Sequence, residues 1–133
     1  MDQLNHLAVL AAALSNFLVG GLWYSPVLFN KAWMKANDFT EEDLQKGHPG
    51  KTFGLAFVFS VLIAYSLAFF LNDPSIDMGM ATLYGFLAGF TWATMGLAII
   101  ALFEQRKMAY ILVNGGYLTV AFTLMGFILG AWR

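Results

Sequence analysis

The side chains best suited to hold a ligand are polar residues embedded in long apolar stretches. Asn16, Trp92 and Tyr117 lie near the middle of three such stretches, and Trp23 and Tyr24 lie near the end of the first. Amide, indole and phenol groups form hydrogen bonds, but they do not exchange protons near neutral pH. A few such groups orient ligands within apolar pockets. We therefore treat these five residues as candidate ligand-binding residues and expect no catalytic residue.

The apolar stretches themselves contain no ionisable side chain of Asp, Glu, Lys, Arg or His. They run from Leu7 to Leu28, Phe53 to Leu71, Gly79 to Phe103 and Met108 to Trp132. Ionisable groups inside a membrane mark proton relays and ion pathways. Their absence argues against a proton pump, a voltage sensor and a proton-coupled multidrug carrier.

Cofactor chemistry has little support in the sequence. The chain has no cysteine, which excludes thiolate and zinc-thiolate sites. His6 lies before the first apolar stretch and His48 before the second, so the two histidines lie on opposite sides of the predicted membrane. They therefore cannot ligate one haem iron within a single subunit. A net charge of -1 without a basic run excludes a nucleic-acid surface. We expect no metal, no cofactor and no enzymatic activity.

The four apolar stretches predict a membrane protein. Each contains 19 to 25 residues, enough for a helix to cross a hydrocarbon core of about 30 Å. Only 11% of all residues are charged, against about 25% in soluble domains. Backbone groups in lipid must be satisfied within a helix or a closed barrel, and continuous apolarity excludes barrel strands. The sequence predicts an all-α polytopic membrane protein, a single domain of residues 1–133 with four transmembrane helices.

Residues 30–50 form the one substantial loop. Trp33 keeps helical spacing beside Lys31 and Lys35, which predicts a short interfacial helix with its lysines at the headgroups. Thr40 precedes three acidic residues and is the predicted N-cap of a further helical turn. The alternative is a solvated connector that only orients the spans.

Basic residues concentrate in two of the three connections. Connections on the cytoplasmic side of a membrane are enriched in Lys and Arg. Six of the seven positive charges lie between the first and second stretches or between the third and fourth, and only Arg133 lies on the other side. We therefore expect a multi-pass protein of a bacterial-type inner membrane with both termini outside.

Small residues recur every four positions within three of the stretches. Such stripes let helix backbones approach closely. The predicted packing positions are Ala12, Gly20, Gly85, Gly89, Gly126 and Gly130, with Ala93 continuing the third stretch's stripe. The stripes can serve contacts within one chain or a seam between copies. We favour a homo-oligomer because a lone four-helix bundle has little interior for a pathway.

The end of the first stretch carries the pattern Gly-x-x-Trp-Tyr-Ser-Pro-x-x-Phe-x-x-x-Trp between Gly20 and Trp33. This pattern resembles the start of the bacterial membrane proteins grouped as domain of unknown function 1761. The segment from Leu124 to Trp132 is similar to that family's ending, so the resemblance covers nearly the whole chain. It implies a four-helix membrane protein without assigned activity, and it carries over no catalytic residue.

Two function classes remain open. The leading hypothesis is non-enzymatic binding or transport of a small apolar or lipid-like molecule, with Asn16, Trp92 and Tyr117 converging on an apolar cavity. The competing interpretation of these residues is that they only bond across helices. The alternative function is a structural or accessory subunit whose helix faces recruit a membrane partner. The expected partners are the lipid bilayer, a small hydrophobic ligand and further copies of the chain.

Reporter fusions test the predicted orientation. Alkaline phosphatase fused after Arg133 should be active, and green fluorescent protein fused there should stay dark, because each reporter senses the side of the membrane on which it lies. Fusions after Gly47 in a chain truncated at that residue are the control and should give the reverse pattern. A fluorescent C-terminal fusion would overturn the orientation.

Overall fold

The computed structural model describes residues 4–133, which are helical almost throughout. The four long helices are span 1 (His6–Trp23), span 2 (Pro49–Phe70), span 3 (Met78–Phe103) and span 4 (Met108–Ala131). Each is long and apolar enough to cross a membrane, and no strand occurs among residues 4–133. The predicted all-α architecture with four spans is confirmed.

Two short helices, Asn30–Asn37 and Glu41–Gln45, lie between spans 1 and 2. The Thr40 hydroxyl accepts a hydrogen bond from the Asp43 backbone N–H at 3.1 Å, and the Asp43 carboxylate accepts one from the Thr40 N–H at 2.9 Å. These reciprocal bonds form a capping box at the start of the second helix. The prediction of Thr40 as an N-cap is therefore confirmed.

Span 1 ends at Trp23, before the apolar stretch itself ends at Leu28. The Ser25 hydroxyl donates to the Leu22 carbonyl oxygen at 2.7 Å. Pro26 has no backbone N–H with which to continue the helical ladder. The chain therefore leaves the span in a turn, and the apolar residues after Trp23 belong to that turn.

The spans pack side by side in the order 2, 1, 4, 3. Span 4 has extensive contacts with span 3 on one side and with span 1 on the other, and span 1 also packs on span 2. Spans 2 and 3 follow each other in the chain, yet they have no comparable contact. The connection between them, residues 71–77, therefore crosses a gap at one end of the bundle.

The two ends of the bundle differ in what they carry. At one end the Asn5 side-chain amide donates to the Trp132 carbonyl oxygen at 3.3 Å, so the first and last spans meet beside residues 71–77. At the other end the Lys107 ammonium lies 2.8 Å from the Asp38 carboxylate, so the two basic connections meet. We call these the terminal end and the loop end.

Glycines bring spans 3 and 4 into backbone contact. A Cβ atom added at Gly126 would lie 2.5 Å from the Ala81 carbonyl oxygen, and one added at Gly89 would lie 2.6 Å from the Cβ of Phe122. The predicted packing glycines of these spans all lie in this contact: Gly85, Gly89, Gly126 and Gly130. These small residues therefore serve a contact within the chain.

The predicted packing positions of span 1 also face other spans. Ala12 is completely buried in a core of small side chains that includes Ala64 of span 2. Gly20 faces span 4, where an added Cβ would lie 3.3 Å from the ring of Tyr117. Small side chains at these positions allow the close approach from which membrane helices gain their dispersion contacts.

Two glycine substitutions test the importance of this close contact. Gly126→Ala should lower the unfolding free energy by about 1 to 3 kcal/mol because the new Cβ collides with backbone. Gly21→Ala is the matched control, since nothing lies within 4 Å of its added Cβ. Thermal unfolding in a fixed detergent measures both. Equal melting temperatures for the two variants would contradict the assignment.

Candidate functional site

Four of the five predicted ligand-binding residues form hydrogen bonds to other spans, and Asn16 and Tyr117 form them with each other. The Tyr117 hydroxyl donates to Asn16 Oδ1 at 2.5 Å, and Asn16 Nδ2 donates to the Ser60 hydroxyl at 2.6 Å. Ser60 in turn donates to the Ala56 carbonyl oxygen at 2.8 Å. Asn16 is only 7% exposed. This chain of bonds ties spans 1, 2 and 4 together and engages both the oxygen and the nitrogen of the Asn16 amide.

Trp23 and Tyr24 fasten the end of span 1 to span 4. The Tyr24 hydroxyl donates to Asn114 Oδ1 at 2.6 Å, and Trp23 Nε1 donates to the Val113 carbonyl oxygen at 2.9 Å. The Tyr24 ring also packs against the Tyr117 ring, with centroids 5.6 Å apart. Both residues therefore have structural partners, which agrees with the interpretation that these polar groups bond across helices.

Trp92 lies apart from this network. The expectation that it converges with Asn16 and Tyr117 on one apolar cavity is therefore wrong. Its side chain is 72% exposed. Gly89 and Thr94 occupy the face of span 3 that packs on span 4, so Trp92 belongs to a different face. The sequence places all three residues near mid-span, but it does not give the rotation of each helix about its axis.

Trp92 instead lines a groove between spans 2 and 3, with a volume of about 320 Å³. Apolar side chains form most of its wall. The lining residues are Leu67, Phe70, Leu71, Tyr84, Leu87, Ala88, Thr91 and Trp92. The groove exists because the two spans diverge, and it runs along span 3 over about two helical turns.

Two residues that line the groove have a hydrogen-bond donor without a partner in the described part of the chain. The two donors are the Tyr84 hydroxyl and the Trp92 indole N–H. The Thr91 hydroxyl, by contrast, donates to the Leu87 carbonyl oxygen of its own helix. Such free donors are costly in an apolar medium unless an acceptor reaches them. The groove can therefore satisfy a ligand that brings an acceptor.

Trp92 lies within a π-helical segment of span 3, Ala88–Thr94. The Thr94 hydroxyl lies 2.7 Å from the Gly89 carbonyl oxygen and 3.0 Å from the Gly115 carbonyl oxygen of span 4. Gly115 makes room for it, because an added Cβ there would lie 2.5 Å from the Thr94 methyl carbon. π-Helical segments are rare and occur frequently at functional sites.

The π-helical segment also changes the packing stripe of span 3. The spacing of four predicts Ala93 after Gly89, but the buried residue that continues the contact is Thr94, five positions on. Nothing in the spacing reveals the extra residue, because the apolar sequence is continuous on both sides of it.

A second cavity of about 410 Å³ lies at the terminal end. It is lined by both chain ends and by residues 71–77. Leu71 borders both this cavity and the groove. Because the second cavity lies at the end of the bundle, the groove is the candidate site at membrane depth.

Comparison with known families adds one finding. The family model described as protein of unknown function (DUF1761) matches residues 7–130. The chain belongs to this family. The match includes all four spans of this DUF1761 protein except the first residue of span 1 and the last of span 4, which confirms the resemblance carried by the Trp-Tyr-Ser-Pro pattern. No curated protein and no solved structure matched the chain.

Removal of one hydroxyl tests whether the Asn16 network is structural. Tyr117→Phe should lower the unfolding free energy by about 0.6 to 1.7 kcal/mol, the range measured for hydrogen bonds between membrane helices. Tyr110→Phe is the control, since no residue among 4–133 bonds to the Tyr110 hydroxyl. Thermal unfolding measures both variants. Identical stability of Tyr117→Phe and the unmodified protein would contradict the network.

Proposed function

We propose that this DUF1761 protein is a non-enzymatic membrane component that binds a small apolar or lipid-like molecule in the groove between spans 2 and 3. The observation that carries the proposal is the divergence of two consecutive spans around a mostly apolar space of about 320 Å³. Ligand pockets commonly have about 300 to 1,000 Å³ and an apolar wall with a few polar groups. We include transport of the bound molecule in this proposal, because a transporter needs such a binding site.

The chemistry of the groove supports binding over catalysis. Its polar side chains are Tyr84, Thr91 and Trp92, which provide neither an acid and base pair nor a thiolate. Asn16, Trp23, Tyr24 and Tyr117, which the sequence also suggested for the ligand, support the site indirectly. Their bonds hold spans 1, 2 and 4 in fixed positions, so span 2 stands away from span 3.

The alternative function is an accessory subunit that recruits a partner through small-residue helix faces. This function would require those faces to be exposed. Gly85, Gly89, Gly126 and Gly130 are covered by contacts between spans 3 and 4. For the same reason, we do not rest the proposal on a homo-oligomer.

The proposed location is a plasma membrane with both termini outside, supported by the meeting of the two basic connections at the loop end.

A photoreactive fatty acid tests the proposed site. Purified protein in detergent micelles is labelled with a diazirine analogue of palmitate, and the cross-linked peptides are mapped by mass spectrometry. Labelling of peptides that contain residues 67–71 and 84–92 should saturate and should fall when excess palmitate is added. Labelling that rises linearly with probe over all lipid-facing surfaces would contradict a binding site.

A pair of matched variants locates the binding. Leu87→Trp fills the groove and should weaken labelling about tenfold or more, because the ligand loses apolar contact area. Leu102→Trp places the same side chain at an exposed position of span 3 outside the groove and should leave labelling unchanged. Equal labelling of both variants would contradict the groove as the site.

A further inference from the structure

We infer that the ligand of the groove carries a carbonyl oxygen on an apolar ring, as membrane quinones do, and that the Trp92 indole N–H binds this oxygen. This inference rests on the proposed function, because it names the chemical class of the molecule in the same groove. It concerns binding alone and involves no electron transfer.

The two tryptophans within the spans, Trp23 and Trp92, differ in their hydrogen bonds. Trp23 Nε1 donates to the Val113 carbonyl oxygen at 2.9 Å, as expected for an indole within a membrane protein. Trp92 Nε1 has no acceptor among residues 4–133, although its ring borders a groove large enough for a ligand. Hydrocarbon chains of lipid offer no acceptor either. A ligand with an acceptor at this point would therefore be preferred over one without it.

Trp92 lies far from both ends of span 3. Its backbone lies about 21 Å from the start of span 3 at Met78 and about 17 Å from its end at Phe103. Helical side chains lean toward the N-terminus of their helix, so the indole lies roughly 15 Å from the terminal end of the span. Ester carbonyls of phospholipids lie at the edge of a hydrocarbon core about 30 Å thick. A quinone carbonyl can lie deeper because the rest of its ring is apolar.

Aromatic side chains from spans 2 and 3 form part of the groove wall. Phe70 from span 2 faces the groove that Tyr84 and Trp92 line from span 3, and Phe70 is 72% exposed. Aromatic rings pack favourably in offset-stacked or edge-to-face arrangements. The Tyr84 hydroxyl offers a further free donor about two helical turns from Trp92. A planar ring with a carbonyl oxygen matches these aromatic surfaces and the donor of Trp92.

A pair of matched competitors tests the inference. Decyl naphthoquinone and decyl naphthalene have the same tail and ring system, but only the quinone has carbonyl oxygens. Each is titrated against diazirine-palmitate labelling of the groove peptides in the same detergent. The quinone should compete about three- to tenfold better than the hydrocarbon, the effect of one net hydrogen bond.

Trp92→Phe should reduce the ratio of quinone to hydrocarbon competition to about one, because the variant loses the N–H donor, whereas any loss of ring contact affects both compounds alike. Competition by the hydrocarbon also shows that the variant is folded. Trp132→Phe is the control, since Trp132 lies outside the groove and the preference should survive there.

The outcomes separate this inference from the proposed function. A quinone preference that disappears in Trp92→Phe supports both. Equal competition by the two compounds, or a preference that survives in Trp92→Phe, overturns the quinone inference while the groove stands as a binding site. Failure of both compounds to compete, together with unchanged labelling of Leu87→Trp, overturns the inference and the proposed function.

Discussion

The close approach of span 3 to span 4 is the contact on which the rest of the bundle depends. It requires residues without side chains, because Gly126 and Gly89 leave no space for a Cβ atom. Lipid provides little hydrophobic drive for helix association, so dispersion at short range must hold these helices together. Span 3 lies on one side of span 4 and span 1 on the other, and span 2 packs mainly on span 1 with a smaller contact on span 4. The gap between spans 2 and 3 is a consequence of this order.

Hydrogen bonding separates the structural polar groups from the functional candidates. Asn16, Tyr117 and Tyr24 are all paired across spans. These bonds fix the rotation of spans 1, 2 and 4, so the groups that form them have structural roles. Trp92 is the contrasting case, since its donor is unpaired in a mostly apolar groove. The unpaired donor of Trp92, rather than the most polar side chain, therefore indicates where a ligand would bind.

The number of spans can be predicted from the gaps between charges, because only apolar helices of sufficient length satisfy the membrane. Their ends are harder to predict, and Leu28 illustrates why: apolarity continues past Trp23, whereas the helix stops for a local reason at Ser25 and Pro26. The site is harder still. Lateral order, helix rotation and an extra residue before Thr94 all depend on contacts between distant segments, which hydropathy and spacing do not encode. The sequence therefore indicated Trp92 as a candidate ligand-binding residue without locating its neighbours.

The π-helical segment has a consequence for how this site can change during evolution. An α-helix turns about 100° per residue, so one additional residue in span 3 rotates everything after Thr94 relative to the half that carries Tyr84. Loss of a single codon between positions 88 and 94 would restore a regular helix and swing one half of the span by that angle. An in-frame deletion of one of residues 88–91 would turn Trp92 relative to Tyr84, and would thus move the indole relative to the groove in one genetic step.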